Sequence, residues 1–381
     1  MKKQIMSSKI VLAALALVLA GGTPALAITT EWVGVGGTTT TIGADVYGNW
    51  TSPANWTNGI GINASLDVFI GPVAANGGRV LMNSNADGFG ANEFWVGGHN
   101  AAILPKIQSL TLSGGILQHT DGTVSQKNSR LGDGGTAVDQ GIVKQTGGTF
   151  YMNKGELRIG ANVAVGGNGL YDISGGTFST AAGLFAGGNV VLGSRLNQFP
   201  AAFARGELRI SGNATVDLGL PATAPQALGF GKGDGSYGSS VLSVIGSAAT
   251  VNIDSIQMAN GAPTFNSGLI NFTFDQTGVS TIHVARSANL AQGFLNVDYT
   301  GLSLGYGDYF DLMVGDQITV NASFNLDPSD TTDWQLVKLG DGLAGGGTDT
   351  LRLIHIVPEP TTLTLLGVGL GAVLMVKRRR E

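Results

Sequence analysis

Apolar and polar positions along this chain alternate in short runs broken by glycine. Between residues 28 and 356 no stretch sustains the i, i+3, i+4 apolar spacing of an amphipathic helix. One phrase recurs instead. It reads LTLSGGILQ from Leu110, VKQTGGTFYM from Val143, YDISGGTFST from Tyr171, LRISGNATVDL from Leu208 and LSVIGSAATVNI from Leu242, with a weaker copy, FTFDQTGVSTIHV, from Phe272. Each copy predicts a strand, a small polar or glycine corner, and a second strand. A second phrase falls between copies: SRLGDG at Ser129, ELRIGAN at Glu156, VVLGSR at Val190 and ALGFGKG at Ala227. The heptapeptides KGELRIG and RGELRIS, at 154–160 and 205–211, are nearly identical.

The corner glycines Gly115, Gly148, Gly176, Gly212, Gly246 and Gly278 lie 33, 28, 36, 34 and 32 residues apart. A period of about 30 residues marks a solenoid, array or propeller. One strand pair cannot bury a face alone, whereas stacked copies share a continuous core. The expected fold is therefore all-β, a right-handed β-solenoid or β-helix; tandem β-sandwich or jelly-roll modules are the alternative, because the spacing varies by several residues. The flanks differ from the repeats. Residues 28–100 hold Trp32, Trp50, Trp56 and Trp95 and predict a Trp-rich N-terminal β cap. Residues 101–290 carry the repeats. Residues 291–356 lose the glycine-glycine-threonine phrase and predict a C-terminal β module.

Composition sharpens this picture. Glycine, at 61 of 381 residues, is about twice its ordinary share of roughly 7%. No G-X-Y period is present, so collagen is excluded, and a hydrophobic fraction of 43% argues against disorder. The absence of cysteine excludes thiol catalysis, disulfide staples and cysteine-based metal sites.

Both ends of the chain read as addresses. At the start, Lys2, Lys3 and Lys9 precede an apolar core and the small residues Ala25 and Ala27 flanking Leu26. This is the order of a secretory signal peptide, residues 1–27, cut by signal peptidase after an A-x-A site. At the other end, Val357, Pro358, Glu359 and Pro360 precede the uncharged run 361–376, and Lys377, Arg378, Arg379 and Arg380 follow it. A helix of that length spans about 24 Å, short of a hydrocarbon core of about 30 Å. It therefore reads as a transmembrane helix serving as a temporary anchor, with the basic residues as a cytoplasmic stop. Of the 21 cationic residues, three lie in the leader and four in the tail, leaving 14 against 24 acidic ones. A body near −10 argues against a nucleic-acid partner.

The C-terminal order of VPEP, short apolar helix and basic tail resembles the PEP-CTERM sorting signal of Gram-negative bacteria. The resemblance implies recognition of Pro358, Glu359 and Pro360 by an exosortase of the inner membrane, followed by release to the cell surface or extracellular matrix. The repeats resemble the autotransporter-associated β-strand type. No series of ten-residue alternating strands follows them, so self-secretion through a C-terminal barrel is not expected.

Candidate chemistry is sparse. His99, His119, His283 and His355 form no H-x-x-x-H or H-E-x-x-H motif, and His283 and His355 are expected as outward-facing strand residues. Glu156 and Glu207 occupy equivalent places in the two GELRI copies. They are expected to line one face as a ladder with Arg158 and Arg209, for cross-strand ion pairing or for contact with extracellular polysaccharide. Asp308, Asp311, Asp327, Asp330 and Asp333 cluster without an EF-hand register. GFGKGDGSYG, from Gly229, lacks the following helix of a phosphate loop and is expected as a corner. Trp50 and Trp56 are candidates for stacking on sugars. No catalytic constellation, metal site or cofactor is expected. The functional expectation is a non-enzymatic surface or matrix protein with a structural, adhesive or biofilm role. The alternatives are a polysaccharide-degrading enzyme on a β-helix scaffold and a carbohydrate-binding protein.

Overall fold

The computed structural model describes residues 28–31, 39–42, 45–49, 54, 66–70, 79–82, 88–91, 93–97, 107–119, 128–132, 140–152, 155–160, 167–180, 188–193, 204–219, 227–231, 238–258, 268–300, 302–327, 329–343, 345 and 347–357. The described residues are almost entirely strand, wound as a β-solenoid. The solenoid reading of the repeats is thereby borne out over tandem sandwiches.

Three parallel ladders run along the molecule, one per face. The first joins Ile28–Glu31, Leu66–Ile70, Glu93–Val96, Asn128–Leu131, Glu156–Ile159, Asn189–Leu192 and Leu228–Phe230. The second joins Asp45–Asn49, Arg79–Met82, Ile107–Leu112, the first halves of Gln140–Met152 and Asn168–Ser179, then Ala204–Ile210, Gly238–Ile245 and Gly268–Thr273. The third joins Gly88–Ala91, Ile116–His119, the second halves of Gln140–Met152 and Asn168–Ser179, Thr215–Leu218 and the start of Thr250–Met258. The long strands Ile282–Asp298 and Tyr309–Leu326 carry all three ladders onward. The recurrent glycine-glycine phrase thus supplies the second and third faces, and the phrase between its copies supplies the first.

The corners explain the glycine content. All six corner glycines read from the sequence have positive φ. At Gly176, with φ of +80°, a Cβ would stand 2.4 Å from the carbonyl oxygen of Gly148 in the coil below. That position requires both a left-handed backbone and close approach, which glycine alone supplies without strain. A second glycine corner closes four successive strands of the first face. Gly132, Gly160, Gly193 and Gly231 each donate their N–H to a carbonyl one coil earlier, at 2.8 Å.

Strand alternation puts one side of every coil into a single core. In Asn168–Ser179 the residues Tyr171, Ile173 and Phe178 point inward and are fully buried. Phe150 and Phe178 from adjacent coils stack at 5.2 Å, and Tyr171 meets Phe178 edge-on at 4.9 Å. Register places these two equivalent phenylalanines over one another, a ring pair worth about 0.5–1.5 kcal/mol beyond its burial. The antiparallel strands Trp334–Leu339 and Asp349–His355 close the C-terminal end against the first part of Tyr309–Leu326. Trp334, 1% exposed, fills that end together with Phe274, Phe310 and His355.

Candidate functional site

Three neighbouring strands of the second face set nine outward side chains on a grid. Parallel register aligns Asn168 with Arg205 and Ser239, Leu170 with Glu207 and Val241, and Asp172 with Arg209 and Ser243. Strands in such a ladder lie about 4.8 Å apart, and residues i and i+2 share a side. Glu207 sits at the centre of the grid. Its neighbours across the strands are apolar, and its neighbours along its own strand are arginines.

Glu207 is 8% exposed, an unusual degree of burial for a carboxylate. Its Oε1 accepts from Arg209 Nε at 3.1 Å and from Ser243 Oγ at 3.0 Å, with Arg209 Nη2 also at 3.0 Å. Arg209 in turn approaches Asp172 at 4.0 Å. Asn271 extends the chain by donating to Ser243 Oγ at 3.3 Å. The other oxygen, Oε2, has the Arg205 guanidinium at 3.8 Å, beyond hydrogen-bond reach. Arg205 is the most exposed member of the set, its side chain being 63% exposed. Asn168, Gly169, Leu170, Arg205 and Glu207 surround a cavity of about 200 Å³. A carboxylate oxygen with spare acceptor capacity, an exposed arginine and an aliphatic wall therefore meet at one concavity.

The two GELRI copies do not form one ladder. Glu156 belongs to the first face, opposite Asn128 and Asn189, whereas Glu207 belongs to the second. The expectation of a shared Glu–Arg face is corrected. Each glutamate pairs with the arginine two residues on along its own strand, Glu156 with Arg158 and Glu207 with Arg209. The reason lies in what flanks the motif. Gly160, at φ of +71°, ends the first copy after Ile159, while Ala204 and Arg205 lengthen the second copy into a seven-residue strand.

The other candidates separate. His283 is exposed on its strand, as expected. His355 is not: it is buried, with Nδ1 3.0 Å from Gly305 O and its ring against Trp334. The aspartates serve turns and pairs. Asp308 accepts from Gly305 N, Asp327 from Ser329, Asp330 from Val297 N, and Asp333 from Tyr299. Asp311 forms a two-pronged pair with Arg352 opposite it on the neighbouring strand, at 2.6 and 3.1 Å. Among the described residues no group of three or more His, Asp or Glu could hold a metal ion. Gly231 makes the expected corner at the start of the glycine-rich stretch. Ala25, Ala27, Trp50, Trp56, Pro358, Glu359, Pro360, Lys377, Arg378, Arg379, Arg380 and the expected helix 361–376 lie outside the described residues. Among the described residues no helix is long and apolar enough to cross a membrane.

Sequence reasoning missed the grid. Its signal was present as alternation in two strands, NGLYD and ARGELRI, but their register against each other was not. It also missed Gln145, a fully buried amide whose Oε1 accepts from Tyr171 and whose Nε2 donates to Gly148 O at 3.2 Å and Thr177 O at 3.0 Å.

Two residues separate the last described strand from position 358. His355 N donates to Asp308 O, Ile356 N donates to Asp333 O, and Val357 is the last described residue. Residues 357–380 match the family model of the PEP-CTERM protein-sorting motif. No curated protein and no solved structure matches the chain. The motif marks a protein that is exported to the cell surface or beyond through exosortase, a membrane enzyme. The chain thus carries a PEP-CTERM sorting motif, with a β-solenoid ahead of it.

Proposed function

We propose that this chain is a non-enzymatic protein of the cell surface or extracellular matrix of a Gram-negative bacterium, with a structural, adhesive or biofilm role. The observation that carries this reading is the sorting motif at 357–380, set directly after the last described strand of a solenoid. In the route proposed, signal peptidase cuts after Ala27 and the run 361–376 holds the body outside the inner membrane. Lys377, Arg378, Arg379 and Arg380 stop transfer on the cytoplasmic side. Exosortase then cuts near Pro358, Glu359 and Pro360. The solenoid suits display: each coil contacts only its neighbours, so the body is a stalk whose stability accumulates coil by coil.

The ion-paired grid supports a binding role over a catalytic one. A glycosidase needs one carboxyl to deliver a proton and another to act on the sugar from across a gap. Here Glu207 and Asp172 are both partners of Arg209, which suits holding a surface in shape. Replacing Pro358, Glu359 and Pro360 together by alanine tests the route. The expected result is accumulation in the inner membrane with the tail retained; unchanged release would overturn it. Incubating the purified protein with polysaccharides tests the non-enzymatic reading, which new reducing or unsaturated ends would sink.

A further inference from the structure

The central row of the grid continues along the second face. Register carries it through Ile142, Leu170, Glu207, Val241, Leu269 and Phe294, one residue per coil. Five of these six positions are apolar; Ile142, Leu170 and Leu269 are half-buried, while Val241, 3% exposed, and Glu207, 8% exposed, form the floor of the row between them. Phe294, 40% exposed, presents the last apolar side chain before the row passes to Asn325 on the next strand. Polar rows flank it on both sides: Asn168, Arg205 and Ser239 on one, Asp172, Arg209 and Ser243 on the other. Six positions about 4.8 Å apart cover roughly 24 Å along the axis.

We propose that this row is the binding track for a neutral, extended polysaccharide chain lying along the solenoid axis. The inference rests on the surface-protein reading above and names the ligand that the surface meets. A pyranose ring has apolar C–H faces and hydroxyls at its edges, which matches an apolar row between polar rows. The strand spacing is close to the length of one pyranose unit in an extended chain, so the sugars keep step with the coils and are held at the open positions on either side of Val241. Glu207 Oε2 accepts from one ring hydroxyl in the cavity beside Leu170. Arg205 donates to its neighbour, and Phe294 stacks on a sugar further along. The central carboxylate and the acidic body select against polyuronates, whose charge they repel.

The test uses the full chain purified in a non-glycosidic detergent and β-1,4-linked glucose oligomers of two to six units, with polygalacturonate as the anionic control. Affinity is expected to rise at least tenfold from dimer to hexamer and to exceed that for polygalacturonate. Arg205→Ala and Phe294→Ala, both at exposed positions, are each expected to weaken hexamer binding at least tenfold without moving the melting temperature. Three outcomes overturn the proposal: no oligomer binding by the unmodified chain, binding indifferent to both substitutions, or preference for the polyuronate. Self-association lost on Phe294→Ala, without glucan binding, would overturn it in favour of a second copy of the chain. Surface delivery of the Arg205→Ala protein, followed in cells, keeps a failed track distinct from a failed sorting route.

Discussion

Tyr171 and Gln145 form a polar pair inside an otherwise apolar core. The phenol donates to the amide, whose own N–H groups reach two backbone carbonyls. Tyr171→Phe removes the donor and leaves a buried oxygen unpaired, with an expected loss of about 1–3 kcal/mol in urea unfolding. Adding Gln145→Leu is expected to cost more still, because it also removes the amide's bonds to Gly148 O and Thr177 O. The same phenol makes stability depend on pH. Burial holds Tyr171 well above the usual 10.0. Tyr299 is pushed up to about 12, first by its hydrogen bond to Asp333 and then by burial. In the unfolded chain both ionise near 10, so the protonated forms favour the fold below that pH. This stability is complete below pH 10 and is lost as pH rises through about 12. The unfolding midpoint is expected to fall over that window, and less steeply in Tyr299→Phe.

At the scale of one coil, corner and core make separable contributions. A methyl at Gly160 would stand 2.1 Å from the carbonyl oxygen of Arg205, on a backbone with φ of +71°. Gly160→Ala is therefore expected to cost at least about 2 kcal/mol, by strain and forced displacement together. Phe178→Ala leaves the corner intact and opens a cavity between Phe150 and Tyr171 instead, with an expected cost of about 3–5 kcal/mol. Equilibrium unfolding measures both. Because coils interact only with their neighbours, each loss is expected to broaden the transition, which tryptophan fluorescence and circular dichroism would then report at different midpoints.

The whole solenoid depends on how its C-terminal end is closed. Asp349 is buried there, and its carboxylate accepts from Ile318 N at 2.8 Å and Gly342 N at 3.2 Å, with Lys338 Nζ at 3.6 Å. Asp349→Ala leaves those donors without an acceptor beneath the closing strands, at an expected cost of about 1–3 kcal/mol. Hydrogen exchange is expected to quicken first in Trp334–Leu339 and Asp349–His355 and later in the preceding coils. His355 and Ile356 are tied into this closure, so on the proposed sorting route a looser end is also expected to change the rate at which the tail is removed in cells, read by immunoblot.

Much of this was legible from residue order. Glycine at each corner follows from positive φ, and alternation along YDI, LRI and LSV assigns inward and outward positions, because both depend on a residue and its immediate neighbours. The sorting motif is likewise a local pattern, readable without a fold. Other features required the coils to be stacked. Two copies of GELRI fall on different faces because Gly160 stops one strand and Arg205 extends the other. Gln145 points inward although its neighbours in KQTGG look like a turn. His355 is buried because two antiparallel strands close over the last coil. The sequence by itself determined the strands, the corners and the destination, since each rests on short-range conformational preference or a linear signal. Only the tertiary structure decided which outward residues became neighbours, since a parallel ladder sets side chains some 30 residues apart at about 4.8 Å, and that spacing creates the grid around Glu207.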